Sequence, residues 1–171
     1  LWSSALKDAN QLASGACGLT DGSSVGQWRL PNMNELESLL DVSATNPAVS
    51  NGNLFKNVSS AVYWSSTSYF GGQTGSPQAW AIRMSDGRYV NDSINNLKTT
   101  SDNAVWAVKG SGGGAINLPW TGQYVTYATG DDGSVRSGVP PTDPRWIDNG
   151  NGTISDTVTG LIWLKQADCI K

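Results

Sequence analysis

The sequence predicts an α+β fold: two short helices packed on a small twisted antiparallel sheet, joined by long loops. Three observations point there. Residues 2–14 put Trp2, Ala5, Leu6, Ala9, Leu12 and Ala13 on one stripe at i, i+3, i+4 and i+7, the period of an amphipathic helix. Asn32 followed three residues later by Glu35 marks a second helix start. Between residues 62 and 109 the apolar positions alternate instead, the period of half-buried strands.

Taken in order, the first helix should end at Gly15, which is suited to a left-handed turn. A loop over 15–26 then holds Cys17 and the turn Asp21-Gly22. Trp28 and Leu30 alternate with Gln27 and Arg29 as a short extended run. Pro31 stops a helix from entering this corner. Asn32 and Glu35 form a capping box, and Met33, Leu36, Leu39 and Leu40 give the second helix one apolar face to about Asp41. From Val42 to Ala61 periodicity fails. Asn46-Pro47 and Asn51-Gly52 mark turns there, and Val49, Leu54 and Phe55 are isolated anchors.

Val62–Thr67 reads as a strand. In Gln78–Met84, Ala79, Ala81 and Arg83 oppose Trp80, Ile82 and Met84, and Ser85-Asp86-Gly87 turns the chain into Arg88–Val90. A polar loop over 91–103 leads to a last strand, Ala104–Lys109. Residues 111–144 open on a Gly run and close on Pro140-Pro141-Thr142-Asp143-Pro144, a linker by composition. Its Trp120, Tyr124, Val125 and Tyr127 nevertheless imply that it docks on something. Arg145–Asp148, a tight Asn149–Gly152 turn, Thr153–Ser155 and Leu161–Lys165 make a final β unit. The organisation is therefore a body (1–110), a connection (111–144) and a β segment (145–171).

Composition narrows the function. Apolar residues make up 38% and charged residues 15%, the balance being rich in Gly, Ser, Thr and Asn. That suits a loop-rich extracellular fold better than a cytosolic helical enzyme. Eight Trp predict a core filled by large rings, with Trp2, Trp28, Trp64, Trp80, Trp106 and Trp163 on apolar faces. A net charge of −3 without a basic stripe argues against nucleic acid. No apolar run nears the ~20 residues that span a bilayer, so no membrane insertion is expected. Without a starting Met or a signal peptide, the chain reads as a mature product or an excerpt.

The absence of histidine removes Ser-His-Asp and Cys-His sites and His-ligated metals. Asp131-Asp132 and Glu35 with Glu37 are paired carboxylates, but capping accounts for Glu35, and Glu37 faces away from the apolar stripe. We expect no enzyme and no cofactor. The run Asp148-Asn149-Gly150-Asn151-Gly152 misses the spacing of a calcium loop. Ca²⁺, if bound, would sit in the Asn- and Asp-rich loops 42–61 or 91–103. Tyr69, Phe70, Trp120, Tyr124 and Tyr127 lie in polar or Gly-rich segments and are candidates for glycan contact.

The run Trp28-Arg29-Leu30-Pro31-Asn32-Met33-Asn34-Glu35-Leu36-Glu37-Ser38-Leu39-Leu40-Asp41 resembles the central signature of the Lcl C-terminal domain family. Residues 15–27, 63–67, 79–88, 104–110 and 148–169 resemble further family segments. The family comprises bacterial surface and secreted domains with a C-type-lectin-like fold, distantly similar to formylglycine-generating-enzyme folds. The resemblance implies an extracellular or cell-surface location, long loops over 42–61 and adhesion. Formylglycine chemistry is not carried over, because no second cysteine lies near Cys17. The sugar-binding triplets of calcium-dependent lectins are also absent.

In that family the strand matching residues 152–165, and the Cys after it, precede the first helix; here they follow the last strand. The displaced strand has three outcomes: closure on its own body, completion of the next copy, or truncation. The expected outcome is completion of the next copy, in which Trp146, Ile154, Leu161, Ile162, Trp163 and Leu164 supply its opening strand. Copies would then join head-to-tail as a filament or tandem array. In an oxidising compartment Cys17 and Cys169 would pair as a disulfide, here from one copy to the next; two free thiols are the other reading. The alternative function is an adhesin module binding glycans through its loop face.

Overall fold

A computed structural model describes residues 1–49, 54–70, 77–90, 96–110 and 118–167. Helix α1 (Trp2–Gln11) buries Trp2, Ala5, Leu6 and Ala9, the first part of the predicted stripe. It stops before the end of that stripe. Leu12 is extended, its N–H bonds the Ala9 carbonyl, and Gly15 (φ +97°) turns the chain only after the helix is over. The short strand β1 (Trp28–Arg29) leads into α2 (Met33–Glu37). The capping box forms: the Glu35 N–H donates to Asn32 Oδ1 at 2.9 Å, and the Asn32 N–H donates to Glu35 Oε2 at 2.9 Å. α2 is shorter than its apolar face. The Asp41 N–H bonds the Ala48 carbonyl, so Leu39 and Leu40 reach the core from a turn.

Strands β2 (Val62–Tyr69), β3 (Gln78–Arg83) and β4 (Arg88–Val90) form an antiparallel meander in that order. Alternation sends its two rows to different places. Trp64, Ala79, Ala81 and Val90 pack with the α1 residues and Leu30. Tyr63, Ile82 and Met84 pack with Met33, Leu36 and Val49. The sheet is thus the middle layer, with α1 on one face and α2 on the other. Ala79 and Ala81 are small where α1 must come close, and the Trp2 indole N–H reaches the Ser65 carbonyl at 2.8 Å.

The predicted strand 104–109 is divided. Ala104 bridges Tyr63 of β2, and β5 (Val108–Lys109) pairs with β1. Of the expected loop anchors, Val49 is buried, Phe55 sits edge-on to Trp106 and Leu54 is 84% exposed. Trp2 and Trp64 are core as expected, whereas Trp28, Trp80 and Trp106 are half-buried.

Residues 118–139, part of a linker by composition, are folded onto the body. Pro119 bridges Val139, and the single-turn helix α3 (Asp132–Val135) starts from an Asp131 N-cap. α3 passes so close to Val125 that a Cβ on Gly133 would lie 2.1 Å from its carbonyl oxygen; only glycine fits there.

Strands β6 (Trp146–Asp148), β7 (Thr153–Asp156) and β8 (Ile162–Leu164) make a second antiparallel meander. The strand expected to open a body's sheet joins no body sheet in this chain; β8 pairs with β7 alone among the described residues. Among the described residues β8 pairs with no strand of the body, and Trp163, expected in a core, is 52% exposed. The reason is local: turns and ion pairs within residues 145–165 hold these strands to one another. Among the described residues no helix is long and apolar enough to cross a membrane.

Candidate functional site

Tyr69, Phe70, Tyr124 and Tyr127 line one cleft of about 480 Å³, together with Trp80, Thr121 and Gln123. One wall is the end of β2; the other is the docked segment. Trp120 stands beside the cleft, edge-on to Tyr124 with centroids 6.3 Å apart, and its indole N–H donates to the Gly138 carbonyl. Tyr69 meets Trp80 edge-on at 4.8 Å, and Trp80 meets Tyr89 at 6.1 Å, so the rings continue across the sheet. Among the described residues no charged side chain lines the cleft. Its polar groups are amide and hydroxyl, and Gln123 is tied down: its Oε1 accepts from the Ser68 N–H at 2.5 Å and its Nε2 donates to Asp131 and to the Val125 carbonyl.

The cleft exists because the segment is pinned at two levels. At α3, Asp131 accepts from the Tyr127, Ala128 and Ser134 N–H groups, and Asp132 accepts from the Thr67 and Thr121 hydroxyls. Burial pushes the Asp132 pKa up, the two hydroxyls oppose that, and the charges of Glu35 and Asp131 add to it. At α2, Asn32 and Asn34 donate to the Ser137 and Pro119 carbonyls at 3.1 and 2.7 Å. Arg29 grips Glu35 through two bonds of 2.7 and 2.6 Å, and the Ser137 hydroxyl joins them. Burial works against the Glu35 carboxylate, but Arg29, the Asn32 N–H and Ser137 outweigh it and hold its pKa below the usual value. The polar residues of the Trp28–Asp41 run therefore attach the segment.

Lys98 ties three parts together. Its ammonium lies 4.2 Å from the Trp2 ring centroid and 4.7 Å from that of Tyr127, and it donates to Ser68 Oγ at 2.6 Å. Burial lowers its pKa to about 8, partly offset by Asp131. Neither Lys98 nor the Asp131–Asp132 role was anticipated from the sequence. The signal available was Asp131 with Ser134 three residues on, an N-cap spacing.

The predicted assembly residues fall on the second meander. Trp146, Leu161, Ile162, Trp163 and Leu164 are exposed, and Ile154 on the middle strand is half-buried. The register places Ile154 opposite Trp163 and Asp148 on one face, and Ser155 opposite Ile147 and Ile162 on the other. Cys17 is exposed and not in a disulfide; Cys169 lies outside the described residues. No group of three His, Cys, Asp or Glu side chains among the described residues could hold a metal ion. Of the two loops considered for Ca²⁺, residues 50–53 and 91–95 lie outside the described residues.

No curated protein and no solved structure matches this chain. The profile of one family does match, over residues 1–109, which takes in α1, α2, the first meander and the Arg29–Glu35 corner. That match covers most of the sequence, and the chain belongs to the Lcl C-terminal domain family.

Proposed function

We propose that this chain is a non-catalytic extracellular structural subunit that assembles head-to-tail, residues 145–171 of one copy completing the C-type-lectin-like body of the next. One observation carries the proposal: the second meander bears apolar side chains on both faces and covers neither. Trp146, Ile154, Leu161 and Trp163 share one face, and Ile147, Ile162 and Leu164 share the other. A strand apolar on both faces is suited to lie between two layers, and among the described residues β8 lies at an edge with one side unpaired. Contacts that carry one copy onto the next do not close on themselves unless they form a ring, so they build filaments. A Cys17–Cys169 bond between copies would lock such a joint. Purified chain should give ladders on non-reducing gels that collapse with reductant, and fibres by electron microscopy. A single species at all concentrations would refute the proposal.

A second reading, a surface adhesin, is supported by the aromatic cleft. Four of the five residues chosen for glycan contact line it, beside amide and hydroxyl groups. Aromatic rings with amide and hydroxyl neighbours suit the apolar face and hydroxyls of a neutral sugar. A glycan array probed with wild type and with Tyr124→Ala tests this reading. Binding of neutral glycans by wild type alone supports it.

A further inference from the structure

We infer that the acceptor for the donated strand is the groove beside residues 105–109, and that its occupant is β8 of a second copy. The inference rests on the assembly reading above and names where on the neighbour the joint forms. The groove holds about 590 Å³ and runs between β5 and the docked segment; Leu19, Trp28, Leu39, Phe55, Trp106 and Leu118 give it an apolar lining. Trp106 is held by Phe55 at 5.1 Å and Tyr63 at 5.8 Å, so this wall is fixed.

The backbone beside the groove has a gap in its pairing. Ala104 is bonded to β2 and Val108–Lys109 to β1, but Val105, Trp106 and Ala107 make no backbone hydrogen bond among the described residues. Unpaired backbone next to an apolar groove is what an added strand satisfies. β8 brings the matching features: a free edge and two apolar rows, one of which would lie in the groove.

Charge agrees. Each charged residue lining the groove is already paired, Asp21 with Lys109 at 2.5 Å and Glu35 with Arg29 at 2.6 Å. A neutral groove suits the uncharged run Leu161–Leu164 and gives little hold to a charged ligand. The chain carries both parts and leaves its own groove unfilled by its own β8, which points to a second copy.

The test compares full-length variants by sedimentation velocity. Trp163→Asp disables the donor. Val105→Pro and Leu118→Glu disable the acceptor, the first at an N–H that has no backbone partner among the described residues. Each variant alone should be monomeric with an unchanged circular-dichroism melt, and a mixture of donor-disabled and acceptor-disabled chains should form discrete dimers. Should Val105→Pro and Leu118→Glu both assemble like wild type while Trp163→Asp does not, the groove assignment is overturned and the assembly reading stands. Should Trp163→Asp also assemble like wild type, both fall. Hydrogen exchange on wild type gives a readout that needs no acceptor variant to fold. Amides of residues 105–107 should exchange roughly tenfold more slowly in the polymer than in Trp163→Asp monomers. Equal rates would overturn the assignment.

Discussion

Two three-stranded antiparallel meanders lie in this chain, and they are held together in opposite ways. In β2–β3–β4 both faces are covered, and Trp64, Ala79, Ala81, Ile82 and Met84 lose all contact with water. In β6–β7–β8 most apolar side chains stay exposed, and the order comes from polar groups. Arg145 clamps Asp156 with two bonds of 3.0 and 2.9 Å and lies over the Trp146 ring, Asn149 bonds Thr153 and Ser155, and Lys165 pairs with Asp148. Ladder bonds are common to both. What differs is whether layers pack on them, and a small sheet needs a covered apolar face to be stable alone. The first sheet is covered on both faces within the chain; the second leaves most of its apolar side chains exposed.

The largest expected effect therefore lies in the first sheet's layers. Leu36→Ala empties a site with no solvent exposure beneath α2 and should destabilise the chain by about 2–5 kcal/mol in urea unfolding. A loss below about 1 kcal/mol would mean that α2 is not part of the core unit.

Next comes the corner where the docked segment attaches. Glu35→Gln leaves the Arg29 guanidinium mostly buried without its carboxylate and weakens the capping box, a loss of about 2–3 kcal/mol. The pH dependence has a definite sign. Glu35 titrates lower in the folded chain than unfolded, so its contribution is fully present above about pH 4.3 and is lost as pH falls through the folded value. Arg145, aided by the Val158 N–H and the Thr159 hydroxyl, holds Asp156 lower still, well below the usual carboxylate range. Carboxylate chemical shifts followed on acidification should show Glu35 protonating before Asp156; the reverse order would break the contrast between corner and tail.

Helices α1 and α2, the first meander and the Asn32 capping box were legible in the sequence because each rests on local periodicity or a fixed spacing. The four clustered aromatics of the cleft were legible one by one as rings in polar surroundings. Their meeting was not, because it depends on Asp132 and Gln123 gripping Thr67 and Ser68 across long stretches of chain, with Asp131 bracing Gln123. The same long-range grip hid the docking of 118–139 behind a linker's composition. Trp163 misled for the converse reason: alternation shows which side of a strand is apolar, not whether a second layer exists to cover it.

A smaller change tests the grip itself. Gly133→Ala forces a Cβ against the Val125 carbonyl and should undock α3 at a cost of about 1–3 kcal/mol, within what backbone strain at such sites produces. Limited proteolysis should then cut within 118–139 while α1 and the first meander stay protected. Lys98 provides a finer probe. Its pKa is near 8 when folded and about 10.4 unfolded, so between those values the unfolded chain binds more protons and stability rises with pH. Lys98→Met should abolish that rise in urea titrations at pH 8, 9 and 10. An unchanged slope would mean that Lys98 is solvated rather than enclosed by Trp2 and Tyr127.

The smallest effect is expected in the tail. Ile162 is 68% exposed, so Ile162→Ser removes little that the single chain has buried and should shift its unfolding free energy by no more than about 0.5 kcal/mol. The measurement must be made at a concentration where the chain is monomeric, because association would add its own stabilisation. At higher concentration the same substitution should weaken assembly, since the lost apolar area then comes from a joint between copies. A change that leaves the monomer alone and weakens the polymer separates the two meanders by purpose. A loss in the monomer comparable to that of Leu36→Ala would mean that the tail has found cover within its own chain, and the distinction between the two sheets would disappear.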